Sequence, residues 1–516
     1  MHFVHDASDA LPRLAWCCRI ERGSDTAHVV HGPWVAARHD FLFEGAWDGP
    51  YGERRPSGAS ACFGSGAEAR EDAIVFVTPT HMLERLHAIR VRDTLWVSNS
   101  LVFVLAATGE ALDERYRFYH FDFMTNMRGY RRYRPAVRTR SGRELRVFFH
   151  ANVIVDSSLE IRTEPKSLPP EFTGYDDYLG YLRGVVTRVG ENAASPERGA
   201  GYAPLATISS GYDSPACALL ATEIGCSEAI TFGRARPGYQ EDDDSGRVIA
   251  DVLGLRVQEF DRTSYRSLDT FPEAEFLAYG TGGEEVVFAP LADVLSRRLL
   301  FTGYLGDAVW NRVTERVSTE LPMLYPGGSS LGEFRLRSGF IHFPLPTAGY
   351  IRHPSVYAIS NSASMRPWAL DTEYDRPIPR RMLEEVGVPR DAFGRTKKAI
   401  TQPLWNTEAL DQLMAPRSYC DFAEFISRLP LSQGRLDTIR LRSMRLLYET
   451  NLRVNWRLMR VARALGIPMA EKWLVDEHHS RDVGPSSFTF HWGVWRTLPR
   501  YSCDASWPRL FAHRAA

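Results

Sequence analysis

Ile208-Ser209-Ser210-Gly211-Tyr212-Asp213-Ser214-Pro215 is the stretch on which the reading of this chain turns. Before it, residues 205–208 form a short apolar run of the length of a buried parallel strand; after it, residues 215–224 are rich in Ala and Leu at helical spacing. Ser214 has the chemistry of an N-cap, and Pro215 suits a first helical position, where a missing N–H costs nothing. A strand, a tight Ser/Gly turn and a helix start together make an anion site, because free backbone N–H groups and the positive helix end point into the turn. Gly211 lets the backbone approach closely, the serine hydroxyls add donors, and Asp213 can hold a cation.

Downstream the pattern alternates: a strand at 229–232 ending at Gly233, a helix at 245–253, a strand at 255–260, a helix at 291–298 and a strand at 299–302. Such alternation implies a parallel doubly wound sheet, whose ligands lie beyond the carboxyl ends of the strands. Upstream, Tyr178, Leu182, Val185, Val186 and Val189 place a helix over 175–192. Ser167-Leu168-Pro169-Pro170 reads as a stiff linker, which divides the chain into residues 1–168 and 169–516. The first part is β-rich, with strands expected at 74–77, 95–97 and 101–105, and at 145–155 with a hairpin around Asp156-Ser157-Ser158. Residues 50–72, rich in Gly, Ser and Ala, are expected to form a mobile loop, and residues 436–465 to be helical and to buttress the sheet.

At 516 residues the chain has room for two or three domains, and 44% apolar with 24% charged residues is ordinary for a soluble protein. A net charge of −1 gives no electrostatic reason for nucleic-acid or membrane binding. No run of about 18 apolar residues is present to span a bilayer, and the N-terminus lacks a basic-then-apolar signal, so a cytoplasmic location is expected. The seven cysteines are scattered without a CxxC pair and read as reduced thiols. The arginines between 435 and 463 read as a charged helix face rather than a nucleic-acid groove. Only Lys166, Lys397, Lys398 and Lys472 are lysine, every other basic residue being arginine, so the adjacent pair stands out. Glu241-Asp242-Asp243-Asp244 precedes a helix start and reads as capping acids rather than a metal cluster.

The opening run resembles the pyrophosphate loop SGGxDS of the N-type ATP pyrophosphatases, with Ser210 in place of the first glycine. Those enzymes cleave ATP between the α and β phosphates and transfer AMP to a carboxylate or carbonyl oxygen. Thr302-Gly303-Tyr304-Leu305-Gly306-Asp307 resembles the second nucleotide loop SGEGxDE of the asparagine synthetase superfamily, Arg395-Thr396-Lys397 its RxK element, and residues 95–105 the sandwich stretch before its synthetase half. Most of residues 90–400 is covered. The resemblance implies a degenerate glutaminase-like β-sandwich over 1–168, then a parallel synthetase domain with C-terminal helices over 169–516. It further implies ATP held by Ile208, Ser209, Ser210, Gly211, Asp213, Ser214, Gly233 and Gly303, and Mg²⁺ shared by Asp213 and Asp307. Lys397 would stabilise developing charge, with Lys398 pointing elsewhere.

Two departures refine this. Glutamine-dependent members need cysteine directly after the initiator methionine; His2 stands here, so glutamine hydrolysis is not expected. Asparagine synthetases have glutamate where Tyr304 stands, whereas β-lactam synthetases have tyrosine there, paired with a glutamate that precedes a Met-x-Pro. Met365-Arg366-Pro367 matches that element, but Ser364 takes the glutamate's place. Relatives that close lasso peptides share the layout. The expected function is therefore AMP-forming amide ligation between a small-molecule or peptide carboxylate and an amine or free ammonia, with Tyr304 orienting or deprotonating the amine. The alternatives are a tRNA-modifying adenylating enzyme and a non-catalytic scaffold. Oligomeric state is left open.

Overall fold

The computed structural model describes residues 1–235, 243–314, 316–394, 398–404, 409–429 and 485–501. The arginines between 435 and 463, the expected helix at 436–465 and Lys472 lie outside them.

The N-terminal strands are β1 (His2–Ala7), β2 (Trp16–Glu21), β3 (Thr26–His31), β4 (Ala36–Arg38), β5 (Phe41–Trp47), β6 (Cys62–Ala69), β7 (Ala73–Val77), β8 (Leu86–Val91) and β9 (Thr94–Ser98). Helices α1 (Leu101–Thr108) and α2 (Tyr119–Met124) lead to β10 (Ala136–Arg138), β11 (Glu144–Phe148), β12 (Ala151–Asp156) and β13 (Ile161–Pro165). Among the described residues these strands make a seven-stranded sheet, β1-β3-β2-β9-β8-β11-β10, and a six-stranded one, β13-β12-β7-β6-β5-β4. Trp16, Cys18, Ile20, Leu95 and Val97 of the first sheet and Leu42, Ala67, Ile74, Phe76, Val153 and Val155 of the second share one buried cluster. The alternating apolar side chains of the two sheets therefore face each other.

Three expectations need correction here. Residues 101–105 belong to helix α1, whose Ser100 cap accepts from the Phe103 amide; the run is apolar on every side, so its pattern carried no period to separate helix from strand. Residues 62–69 are a buried strand, not a mobile loop. Their small residues serve a close approach: a Cβ at Gly45 would meet the Phe63 carbonyl oxygen at 2.0 Å, and one at Gly64 the Glu44 carbonyl oxygen at 2.3 Å. The run at 145–155 is two strands, β11 in one sheet and β12 in the other, joined through His150 at φ 47°. The hairpin around Asp156-Ser157-Ser158 is present as β12–β13.

In the second half, α3 (Tyr175–Ala194) precedes β14 (Ala203–Thr207), α4 (Asp213–Thr222), β15 (Glu228–Phe232), α5 (Arg247–Val252), β16 (Arg256–Phe260), β17 (Arg298–Thr302) and β18 (Ile341–Pro344). The five strands are parallel in the order β16-β15-β14-β17-β18. From β14 the chain builds outward through β15 and β16, then returns to β14's other side with β17. The order thus reverses between β14 and β17, and a crevice opens beyond their carboxyl ends. No helix among the described residues is long and apolar enough to cross a membrane. Cys17, Cys18, Cys62, Cys217, Cys226 and Cys420 are free thiols.

Buried polar contacts join the halves. Arg335 donates to both Glu44 carboxylate oxygens, at 2.6 and 3.0 Å, and pairs with Glu84 at 2.9 Å. Glu333 accepts from Ser100 Oγ at 2.6 Å and from the Tyr501 hydroxyl. Burial pushes the Glu333 carboxyl up to about 7 from its ordinary 4.5. A raised folded-state value means its contribution is fully present below about pH 4.5 and is lost as pH rises through about 7. Relative to Glu333→Gln, the parent protein should lose roughly 3 kcal/mol across that window. Urea unfolding at the two ends of the window checks this; a constant difference would mean that Glu333 keeps an ordinary pKa.

Candidate functional site

The crevice between β14 and β17 holds a cavity of about 530 Å³. Ile208, Ser209, Ser210, Gly211, Asp213 and Ser214 line one wall, and Gly303, Tyr304 and Asp307 another. The two turns interlock. A Cβ at Gly303 would come 2.5 Å from the Ser214 amide nitrogen, and one at Gly306 2.4 Å from the Asp213 carboxyl carbon, so only glycine permits this approach. Leu305, between them, is held at φ 67°. A left-handed non-glycine residue costs roughly 1–2 kcal/mol, which the buried packing of Leu305 offsets.

Helix α4 begins at Asp213, with Tyr212 as its cap residue and no side-chain capping bond. Ser214 is thus inside the first turn and not the cap, a correction to the sequence reading; its hydroxyl lies 2.9 Å from that of Ser209. The helix start is left without a side chain on its first amides, the condition for receiving an anion. Tyr212 anchors the turn from behind, packed on Tyr374 and Phe393 with ring centroids 5.1 and 4.9 Å away.

Asp244 is a further departure. The Ser210 amide donates to its carbonyl at 3.2 Å, and the Ser210 hydroxyl to its carboxylate at 3.0 Å. Helix α5 starts at Arg247 without a side-chain cap, so Asp243 and Asp244 do not cap it, and Glu241 and Asp242 lie outside the described residues. Asp244 instead supports the serine turn and lines the cavity. Gly233, expected at the nucleotide, is not among the lining residues; it packs on the Glu259 side chain, where a Cβ would meet the carboxylate at 2.5 Å.

The Asp213 carboxylate is buried and receives a bond from Arg376, which also stacks over the Tyr374 ring at 4.8 Å. The charges of Asp213 and Asp307 both hold the Arg376 guanidinium in its protonated form against burial. The cation beside this carboxylate pair is therefore an arginine. No group of three or more metal-ligating side chains occurs among the described residues. Arg376 engages one Asp213 oxygen, so the other Asp213 oxygen and the Asp307 carboxylate, both on the cavity wall, are what remain to receive a metal arriving with phosphates.

Tyr304 packs edge-on against His342, with ring centroids 5.8 Å apart, and its hydroxyl has no hydrogen-bond partner among the described residues. Burial, reinforced by the Glu285 and Glu284 carboxylates, pushes its phenol well above the usual tyrosine range. It therefore stays protonated and can orient a substrate, whereas a phenolate base is disfavoured. Ser364, in the segment Ala363–Trp368, is not part of the lining. Besides Asp213, Asp244 and Asp307, Glu284 also shares the cavity with Tyr304, and its charge acts on the Tyr304 phenol. Sequence reasoning passed it over, although Gly282-Gly283-Glu284-Glu285, with both glycines at positive φ, is a visible signal. Glu285 is structural, accepting from the Gly328 and Ser330 amides at 2.6 and 3.0 Å.

Lys397, the expected catalytic lysine, lies outside the described residues, together with Arg395 and Thr396. Lys398, expected to point elsewhere, lines the cavity and donates to the Asp243 carbonyl. Ile230, Phe232, Phe288 and Ile400 add an apolar wall. Anion-receiving turn, apolar wall and a tyrosine–carboxylate end form one cavity of a size suited to small organic ligands. In comparisons with known proteins, no family model matches the chain and no curated protein matches it.

Proposed function

We propose that this chain is an AMP-forming carbon–nitrogen ligase of the asparagine synthetase type, active in the cytoplasm. In this reading residues 1–168 are a glutaminase-like domain without its nucleophile, and residues 169–516 are the ATP-pyrophosphatase domain. The observation that carries it is the interlocking of two glycine turns, at 208–214 and 303–307, around one cavity at the reversal point of a parallel sheet. ATP would lie with its phosphates on the amides of residues 209–214 and its base along Ile230, Phe232 and Phe288.

A substrate carboxylate oxygen attacks the α-phosphorus, the α–β bridging bond breaks, and pyrophosphate leaves. An amine nitrogen then attacks the acyl carbon, the acyl–oxygen bond breaks, AMP departs, and the amine loses a proton. Amides of the α4 turn and the hydroxyls of Ser209 and Ser210 bind the departing pyrophosphate. Asp307 would hold a magnesium ion carried by the triphosphate, which supplies charge neutralisation on phosphate oxygens. Tyr304 orients the amine and Glu284 takes its proton. Lys397 is assigned, from its match to the RxK element, to charge developing at the α-phosphate.

The test is ATP–pyrophosphate exchange screened across carboxylic acids. Exchange dependent on one acid class is expected, and exchange independent of any acid would remove the ligase reading. Glutamine should not serve as nitrogen donor, because His2 stands where a thiol is needed. Glutamate release from glutamine by the pure protein would overturn that part.

A further inference from the structure

Residues 115–143 hold nine arginines against a single carboxylate, Asp122, in a chain whose overall charge is −1. The fold gathers them. Arg134 reaches the Tyr116 hydroxyl at 3.5 Å, the Tyr119 hydroxyl donates to the Arg138 carbonyl at 2.6 Å, and the Arg140 amide donates to Ala111 at 2.8 Å. Segments 115–119 and 134–143 thus share one surface, beside edge strand β10. Some of the charge is answered within the protein, since Arg132, Arg134, Arg140 and Arg143 pair with Glu320, Asp122, Glu114 and Glu110. Arg115, Arg131 and Arg138 are exposed and have no carboxylate partner among the described residues.

The strip runs to the cavity. The Tyr130 amide donates to the Glu320 carbonyl at 3.0 Å, and the Met323 amide to the Met127 carbonyl at 2.9 Å. Two residues beyond Met323, Tyr325 is 68% exposed and lines the cavity. Val313 and Val317, also exposed, belong to the same connection.

We propose that this arginine strip docks an acidic polypeptide segment, laid so that the chain beyond it passes Tyr325 into the cavity. Guanidinium forks suit carboxylates, and the exposed Tyr325 ring on the cavity lining suits a passing polypeptide. Single-stranded nucleic acid is the poorer match because it needs open aromatic stacking platforms. On the strip Tyr119, Phe121 and Phe123 are buried and Tyr133 is tied to the Val147 carbonyl at 3.1 Å, so the exposed Tyr325 ring offers one stacking platform rather than a run of them. The proposal does not rest on the ligase reading.

The test is fluorescence anisotropy of a labelled oligo-glutamate peptide with the full chain, at low and raised salt. Binding that weakens with salt is expected, falling roughly tenfold or more in R115E/R131E/R138E. R115Q/R131Q/R138Q should lie between, which guards against a folding defect in the charge-reversed protein. The control R70E/R162E/R366E, on exposed arginines elsewhere, should bind as the parent does. A variant of the cavity that should leave the fold undisturbed, Tyr304→Phe, should also keep peptide binding, so failure of the docking idea and failure of the ligase reading give different results. Absence of peptide binding, equal loss in the control triple, or tighter binding of a DNA oligonucleotide than of the peptide would each overturn the proposal.

Discussion

Replacing Arg376 by methionine should destabilise the protein by about 3–5 kcal/mol, the usual consequence of stranding one charge of a buried pair. Asp213 is 7% exposed and Arg376 3%, so neither can turn to water when its partner is removed. Asp213→Asn should cost a similar amount by leaving the guanidinium with less negative charge around it. The double variant Arg376→Met/Asp213→Asn should recover a large part of either loss, because no uncompensated charge then remains on the pair. Unfolding by urea in a double-mutant cycle measures the coupling. Strictly additive losses would mean that the two side chains do not act as a pair. A divalent cation should raise the Tm of Arg376→Met in the absence of nucleotide and leave the parent unchanged. That difference would locate the arginine where a metal would otherwise sit between Asp213 and Asp307.

Tyr304→Phe should lower amide formation about 10²-fold, the scale of losing one oriented donor in a desolvated site. Glu284→Gln should lower it by about 10²–10⁴-fold if its carboxylate takes the amine's proton. Neither change should disturb the fold much: the Tyr304 ring keeps its contact with His342, and Glu284→Gln is near in shape. The decisive feature is which half of the reaction suffers. Acid-dependent ATP–pyrophosphate exchange reports only adenylation and should persist in both variants, while release of amide product falls. Loss of exchange in step with product would move Tyr304 and Glu284 to the first half-reaction.

The parallel sheet was readable because its code is local. Residues 205–208, 229–232 and 299–302 are short apolar runs, each ended by a turn rich in glycine or serine. Such runs appear in the structure as β14, β15 and β17, within a residue or two. The N-terminal half was harder for two opposite reasons. Helix α1 is apolar all round, so only its Ser100 cap distinguished it from a strand. Strand β6 is built from Gly, Ser and Ala and reads as a loop until its neighbour β5 is seen to press against it.

The site shows the same division. Ser209, Ser210, Gly211 and Asp213 could be named because the turn that holds them is continuous in sequence. Arg376 is 163 positions from Asp213, and Asp244 is 34 from Ser210. Nothing local distinguishes such residues from surface charge, and only the fold delivers them. Lys398, expected to point elsewhere, lies in a segment, Lys398 to Leu404, that is neither strand nor helix, so no sequence period tells where its side chain points.

The most direct measurement is calorimetric binding of the α,β-methylene analogue of ATP, in which the bond to be cleaved is blocked. One equivalent should bind, pyrophosphate should compete for the same turn, and Gly211→Val should abolish binding. A Cβ at Gly211 already stands 2.9 Å from the Tyr374 hydroxyl and 3.4 Å from Ser209 Oγ, and the branched side chain would fill the space the phosphates need. Absence of binding, or binding undiminished in Gly211→Val and indifferent to pyrophosphate, would contradict a nucleotide site at this sheet edge.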